Sequence, residues 1–199
     1  MASLARKQFI CTAAIILSLA SCRKSVDAIP IPIDEMEYTD LNNREIKYNG
    51  PSAVIDLNND NEPDLIFGVL LVGDPLNNVD KRQYRVGSGI FTKLPVNHIE
   101  QVPMLNKADT VFLNNFNGYN WYEISSITLI ERVENLAGTI IWRGNWRTAA
   151  KNYLPVQVLK NEERFNGWVE LTVDIANEKI ILHRTAISIH PEKNIRVGL

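Results

Sequence analysis

The sequence predicts an all-β fold, specifically an antiparallel β-sandwich that forms a single domain after a short N-terminal segment. From about residue 44 onward, apolar residues recur in short alternating or continuous runs. Asn, Gly or Pro breaks these runs at roughly 8 to 12 residue intervals, and no stretch holds a convincing helical period. Strands joined by Asn-rich turns without helical crossovers favour packed antiparallel sheets.

The individual strands follow from the same pattern. In chain order, the predicted strands cover residues 45–48, 53–57, 65–72, 84–91, 110–113, 124–132, 139–143, 154–159, 167–173 and 179–189. The last two are the clearest, because Val169, Leu171 and Val173 alternate with residues that point to the other face. Residues 175–178 then turn the chain, so we expect a hairpin there. Residues 148–151 are compatible with a short helix.

The N-terminus has the pattern of an export signal. Arg6 and Lys7 precede an apolar stretch, residues 9–20, that is too short to span a bilayer as a helix. This stretch ends in Leu-Ala-Ser-Cys at 19–22, which resembles the bacterial lipobox. The resemblance implies that residues 1–21 are removed and that Cys22 is lipidated. The alternative is an ordinary signal peptide that happens to be followed by a cysteine.

Lipidation would make the protein a lipid-anchored component of the bacterial cell envelope, with the outer membrane as the expected location and either orientation open. Residues 22–43 are polar and proline-punctuated, so they are predicted to be a tether ahead of a domain at 44–199. Of the two cysteines, Cys11 leaves with the signal peptide and Cys22 is acylated, so no thiol remains for disulfide, metal or nucleophilic chemistry. The formal net charge of -2 argues against nucleic acid as a partner.

One acidic segment, residues 56–64 (the acidic loop), has the spacing of a calcium site. Oxygen-bearing side chains stand at positions 1, 3, 5 and 9 of a tight turn, and calcium binds six to eight oxygens. The pattern resembles the D-x-[DN]-x-D-G-x-x-D loops of EF-hand-like, dockerin-like and integrin-type repeats. That resemblance implies side-chain ligands from Asp56, Asn58, Asp60 and Asp64, and a backbone carbonyl ligand from Glu62.

The acidic loop departs from those families at position 6, where Asn61 replaces the usual glycine. Asparagine tolerates the required left-handed conformation better than most other residues. The alternative interpretation is an Asx-rich turn whose carboxylates face water. The loop has no second copy, which excludes a propeller built from such repeats.

The second half of the chain contains all four tryptophans, Trp121, Trp142, Trp146 and Trp168. Exposed rings on a β-sandwich can stack against sugars, with Asn115, Asn117, Asn120 or Glu123 available to bond hydroxyl groups. The alternative is that the rings fill the core. In addition, Tyr-Leu-Pro at 153–155 and Gly-Trp-Val-Glu-Leu at 167–171 are similar to the closing strands of a group of secreted bacterial proteins and lipoproteins. That resemblance implies an exported β domain but no activity.

No catalytic motif stands out. The three histidines His98, His183 and His190 are isolated in sequence and lack zinc-site spacing. Glycoside hydrolysis needs two nearby carboxylates, for which Glu123, Glu170 and Asp174 are candidates, but no pattern selects a pair. We therefore expect a non-catalytic binding or structural protein that holds calcium and meets a glycan or an envelope protein. A carbohydrate-binding module and, less favoured, a glycoside hydrolase are the alternatives.

Overall fold

The computed structural model describes residues 34–199. The predicted signal peptide 1–21, the predicted lipidation site Cys22 and the first part of the predicted tether lie outside these described residues. The described part is built from strands and turns and confirms the predicted all-β fold. It contains no helix with the length and apolar character that crossing a membrane requires.

Thirteen strands make up the described part of the chain. They are β1 (Met36–Lys47), β2 (Ala53–Ile55), β3 (Leu65–Asp74), β4 (Val79–Ser88), β5 (Thr92–Val96), β6 (Thr110–Val111), β7 (Asn120–Tyr122), β8 (Ile127–Asn135), β9 (Ile140–Arg143), β10 (Asn152–Lys160), β11 (Glu163–Asp174), β12 (Lys179–Ser188) and β13 (Ile195–Arg196).

The strands form two main antiparallel sheets. The six-stranded sheet has the order β1-β12-β11-β10-β5-β7, and the five-stranded sheet has the order β2-β3-β4-β8-β9. Their facing surfaces share one hydrophobic core, in which Val169 and Leu171 of β11 belong to the same cluster as Phe67 and Leu129. This is the packing expected of a β-sandwich.

The outer face of the six-stranded sheet carries a second, smaller core. Trp168 points away from its neighbour Val169 and packs with Tyr153, Ile195 and Val197. The small β6–β13 sheet, with Ile195 opposite Val111, supplies part of this cover. Central strand β11 is therefore buried on both faces.

Each of the ten predicted strands overlaps an observed strand, and the hairpin at 175–178 is confirmed. Strands β5, β7 and β13 were not predicted. They span only two to five residues, which is too short to show a period. Residues 145–148 form a turn rather than the short helix considered near 148–151.

The predicted tether at 22–43 extends too far, because β1 begins at Met36. This strand lies at an edge of its sheet and pairs with β12 alone, so most of its side chains face solvent and are polar. A register shift between Asp40 and Arg44 also interrupts its alternation, where Asn42 and Asn43 adopt positive φ values of 53°. The folded domain therefore starts before residue 44.

Candidate functional site

The acidic loop connects β2 to β3 and is closed at its base by Asp64. The Asp64 N–H donates to the Ile55 carbonyl at 2.9 Å. Its side chain accepts hydrogen bonds from the Leu57 N–H at 2.7 Å and from the Thr92 hydroxyl at 2.6 Å. The residue is only 4% exposed. Asp64 therefore joins the loop to the end of the sandwich core.

The rest of the acidic loop coils around Asp56. The Asp56 carboxylate accepts the N–H groups of Asp60 at 3.3 Å and Asn61 at 2.8 Å. The Asp60 carboxylate accepts the Glu62 N–H at 2.9 Å, and the Asn58 side-chain oxygen accepts the Asp60 N–H at 3.2 Å. The bonds of Asn58 and Asp60 are Asx-turn bonds, because each side chain accepts the N–H two residues ahead, so the residue spacing encodes them locally.

Asn61 adopts the backbone conformation that the calcium-loop pattern requires at its sixth position. Its φ of 70° is left-handed, and Asn59 has a φ of 55°. The departure from glycine at this position therefore does not prevent the loop from coiling.

The charges of the acidic loop are not balanced by basic side chains. No lysine or arginine of residues 34–199 forms an ion pair with Asp56, Asp60, Glu62 or Asp64. Burial raises the pKa of Asp64, and the charges of Asp60 and Asp56 raise it further. The ionised form of this carboxylate is therefore disfavoured by its surroundings.

Loop carboxylates are not gathered around one point in this conformation. Within residues 34–199, no group of three or more His, Cys, Asp or Glu side chains is placed to hold a metal ion. One Asp60 oxygen accepts a hydrogen bond from the Asn58 Nδ2 atom at 2.7 Å. Cation binding would therefore require Asp60 to exchange this bond for the ion.

The four tryptophans divide into two buried and two partly exposed residues. Trp146 and Trp168 are both 0% exposed. Trp146 donates its indole N–H to the Val102 carbonyl at 3.3 Å, and the Tyr38 and Tyr153 rings meet Trp168 edge-on. The ligand-stacking role predicted for Trp146 and Trp168 is therefore corrected, since both rings belong to the core.

Trp121 belongs to a group of aromatic side chains at the edge of the six-stranded sheet (the aromatic patch). The ring of Phe116 lies 6.2 Å from that of Trp121, 5.3 Å from that of Phe112 and 5.7 Å from that of Tyr119, measured between centroids. Phe112 is 38% exposed. Trp142 lies on β9 instead, 5.9 Å from the core residue Tyr84. The aromatic patch thus keeps a surface on which a ligand could stack.

The acids considered for glycoside hydrolysis have different partners and lie at different places in the fold. Glu170 pairs with Arg184, and Asp174 binds Asn177 in the β11–β12 turn. These two acids stand four residues apart on β11, about 13 Å along an extended strand. Hydrolases need carboxyl groups within about 5 to 9.5 Å of each other. Glu123 lies elsewhere, in the segment before β8.

One polar contact could not be anticipated from the sequence. His183 bonds the Thr172 hydroxyl at 2.8 Å through Nε2 and the Asn43 side-chain oxygen at 2.7 Å through Nδ1. Burial lowers the pKa of His183 and favours its neutral form. The imidazole therefore joins three adjacent strands where their register shifts.

The lipobox resemblance and the C-terminal resemblance stated from the sequence rest on few residues. Cys22, which carries the lipobox resemblance, lies outside the described residues, so its lipidation stays a prediction. Tyr153 and Trp168 of the C-terminal signature are core residues, which accounts for their residue types but assigns no activity. No family model matches this chain, and no curated protein or solved structure matches it.

Proposed function

We propose that this protein is an exported, lipid-anchored β-sandwich domain of the bacterial cell envelope that binds calcium in its acidic loop. Its role is to bind or organise another envelope component rather than to catalyse a reaction. The observation that carries the calcium part is Asp64, a buried carboxylate beside two further aspartates with no basic partner in residues 34–199.

An uncompensated buried carboxylate is costly, and a divalent cation removes the cost. Each Asp64 oxygen accepts one hydrogen bond in the described contacts and keeps a lone pair for an ion. Asp56 already holds the loop in a coil through two N–H groups. Calcium binding would draw the loop carboxylates around one point and would replace the bond between Asn58 and Asp60. These contacts support a weak calcium site of the kind found in extracellular modules.

Two features support the exported, non-catalytic part of the proposal. The lipobox-like ending of the N-terminal apolar stretch favours acylation of Cys22. The candidate catalytic acids Glu170 and Asp174 are each bonded to other side chains and stand far apart on β11.

Thermal unfolding of the mature protein tests the calcium site. For a dissociation constant near 0.1 mM, about 2 mM calcium adds about 1.8 kcal/mol of stability, or about 4–7 °C in the midpoint, relative to EDTA. Asp60→Ala and Asp64→Asn remove the shift, whereas Asp74→Asn, in a turn outside the acidic loop, retains it. An unchanged midpoint for the wild-type protein would contradict the calcium site.

Carbohydrate binding is a second candidate, favoured by the aromatic patch around Phe116. Phe112 is exposed, and Phe116, Tyr119 and Trp121 are partly exposed, so the patch offers ring faces that sugars can stack against. Glycan titration should then change tryptophan fluorescence in the wild-type protein and in Trp142→Phe, but not in Trp121→Ala. A response that persists in Trp121→Ala would place the glycan elsewhere.

A further inference from the structure

A cleft of about 510 Å³ opens between the turn after β5, the segment before β8 and the turn after β9. It shares no residue with the acidic loop or the aromatic patch. The side chains that give it chemical character are Arg85, Glu100, Gln101, Glu123, Ser126 and Asn145. Its volume lies within the usual range of small-molecule pockets.

Arg85 lines this cleft at an irregularity in the five-stranded sheet. The pairing of β4 with β8 shifts between Tyr84, opposite Ile130, and Arg85, opposite Thr128, so β8 carries one extra residue. Such bulges redirect side chains and recur next to binding sites. The bulge thus lies at the residue that brings a positive charge to the cleft.

The guanidinium of Arg85 is not satisfied by the protein. Its Nε atom is buried, and within residues 34–199 the side chain has neither a hydrogen bond nor an ion pair. Arg85 as a whole is partly exposed, so the cost falls on its Nε–H, a buried donor that loses hydration without replacement. An acceptor supplied by a ligand would remove this cost.

Two carboxylates line the same cleft without neutralising Arg85. Glu100 and Glu123 are exposed, and neither forms an ion pair within the described residues. The positive charge of Arg85 and the negative charges of the two glutamates thus line one cleft, and each can contact a ligand. A ligand that carries both a carboxylate and an ammonium group complements this arrangement. Arginine binds a carboxylate through two parallel hydrogen bonds.

The walls of the cleft are packed backbone to backbone. A Cβ atom at Gly87 would collide with the Ser125 carbonyl, and one at Gly144 with the Leu129 carbonyl. The Ser88 N–H also donates to the Ile124 carbonyl at 2.7 Å. These close contacts fix the segment before β8 and the turn after β9. Binding there would therefore cost little ordering of the chain.

We propose that the cleft binds a small zwitterion, a free amino acid or a dipeptide. Arg85 holds the carboxylate, and Glu100 and Glu123 hold the ammonium group. Ser126, Gln101 and Asn145 add hydrogen bonds to the remaining polar groups. This site goes beyond the proposed function and depends on neither calcium nor the lipid anchor.

Calorimetric titration of the mature protein tests the site with alanine, dialanine, N-acetyl-dialanine and dialanine amide. At least one of the two uncapped probes should bind. For dialanine, acetylation should remove the contact with the glutamates, and amidation the contact with Arg85. Each cap should weaken binding by about tenfold or more. Failure of both uncapped probes to bind, or equal and measurable binding of the capped and free dipeptides, would overturn the proposal.

Substitutions test which side chains bind the carboxylate end of the ligand and which bind the ammonium end. Arg85→Gln should weaken dialanine and leave the amide unaffected, whereas Glu100→Gln combined with Glu123→Gln should weaken dialanine and leave the acetylated form unaffected. Arg143→Gln, at an exposed arginine on β9 outside the cleft, should change neither affinity. Undiminished binding by Arg85→Gln would refute the assignment. The wild-type comparison of capped probes stays decisive if a variant fails to fold.

Discussion

The acidic loop and two hairpin turns of this protein are held by the same kind of hydrogen bond, from backbone N–H groups to aspartate carboxylates. The pKa values of their aspartates nevertheless shift in opposite directions. In the β3–β4 turn, the Asp74 carboxylate accepts the N–H of Asn77 and its side-chain Nδ2–H, the latter at 2.8 Å. In the β11–β12 turn, Asp174 accepts the same two groups from Asn177, at 3.0 and 2.8 Å. The D-x-x-N spacing thus produces one turn twice, and Asp56 uses similar bonds to coil the acidic loop.

The carboxylates differ in what surrounds them. Hydrogen bonds from Asn77 and Lys81 lower the pKa of Asp74 to about 2, and those from Asn177 lower the pKa of Asp174. Asp64 lies against the core without a basic partner, and its pKa is raised. An aspartate in a turn is therefore a stable anion where amides and a lysine face it. Where the hydrophobic core faces the aspartate, its ionised form is disfavoured, and a bound cation would stabilise that form.

The largest expected effect comes from deleting the Asp64 side chain. Asp64→Ala leaves the buried Thr92 hydroxyl and the Leu57 N–H without an acceptor, at about 1–3 kcal/mol each. Urea unfolding in EDTA should therefore show a loss of about 2–6 kcal/mol. Asp74→Ala, in the exposed turn, should lose less. Equal losses at the two positions would show that the buried Asp64 contributes no more to stability than Asp74 in its turn.

The pH dependence of stability should have opposite signs in the two regions. Without calcium, the raised pKa of Asp64 means that the folded protein binds a proton more readily than the unfolded chain. The contribution of Asp64 to the free energy of unfolding therefore falls as pH rises from about 3.8 through its folded pKa. Asp74, with a pKa of about 2, contributes above about pH 3.8 and loses that contribution as pH falls toward 2.

Urea unfolding from pH 3 to 7 in EDTA measures both slopes. Asp64→Asn should remove the decline above pH 4, whereas Asp74→Asn should change the profile only below about pH 4. Calcium should also remove the decline, because the ion holds Asp64 ionised. An Asp64→Asn profile that parallels the wild type above pH 4 would show that this carboxylate is not disfavoured in the folded state.

The smallest effect is expected at Asn61. Its side chain makes no hydrogen bond in the described contacts, so substitutions there report on the backbone φ of 70°. Asn61→Gly relieves the left-handed strain but adds freedom to the unfolded chain, so stability should change by no more than about 0.5 kcal/mol. Asn61→Ala should cost about 1 kcal/mol. Thermal unfolding distinguishes these values, and a large loss in the glycine variant would assign the side chain a role of its own.

Features encoded by neighbouring residues could be predicted, and features set by distant contacts could not. Val169, Leu171 and Val173 show alternation, so β11 was identified from the sequence. The same alternation places Trp168 on the opposite face but does not show that β13 covers that face. The position of Trp168 in the core therefore depended on residues 195–197, well beyond the local pattern.

In the candidate sites, too, contacts between neighbouring residues could be predicted and contacts between distant residues could not. The bonds that coil the acidic loop around Asp56 join residues at most five positions apart, so its turns could be inferred from the spacing of aspartates and asparagines. The contact of His183 with Asn43 spans 140 residues, and the Arg85 cleft depends on a shift in strand pairing. A sequence period carries no signal for either, because a bulge changes neither residue type nor spacing in a recognisable way.

The pairing of β1 with β12 has a consequence for the order in which the chain can fold. Met36 of the first strand lies opposite Ser188 of the twelfth, and the Tyr38 hydroxyl donates to the Leu199 carbonyl, 161 residues away, at 2.6 Å. Such contacts close very long loops and slow the folding reaction. The first strand has no place in the sheet until β12 is available. If the chain crosses a membrane from its N-terminus, β1 therefore cannot pair in the six-stranded sheet until β12, near the C-terminus, has also crossed.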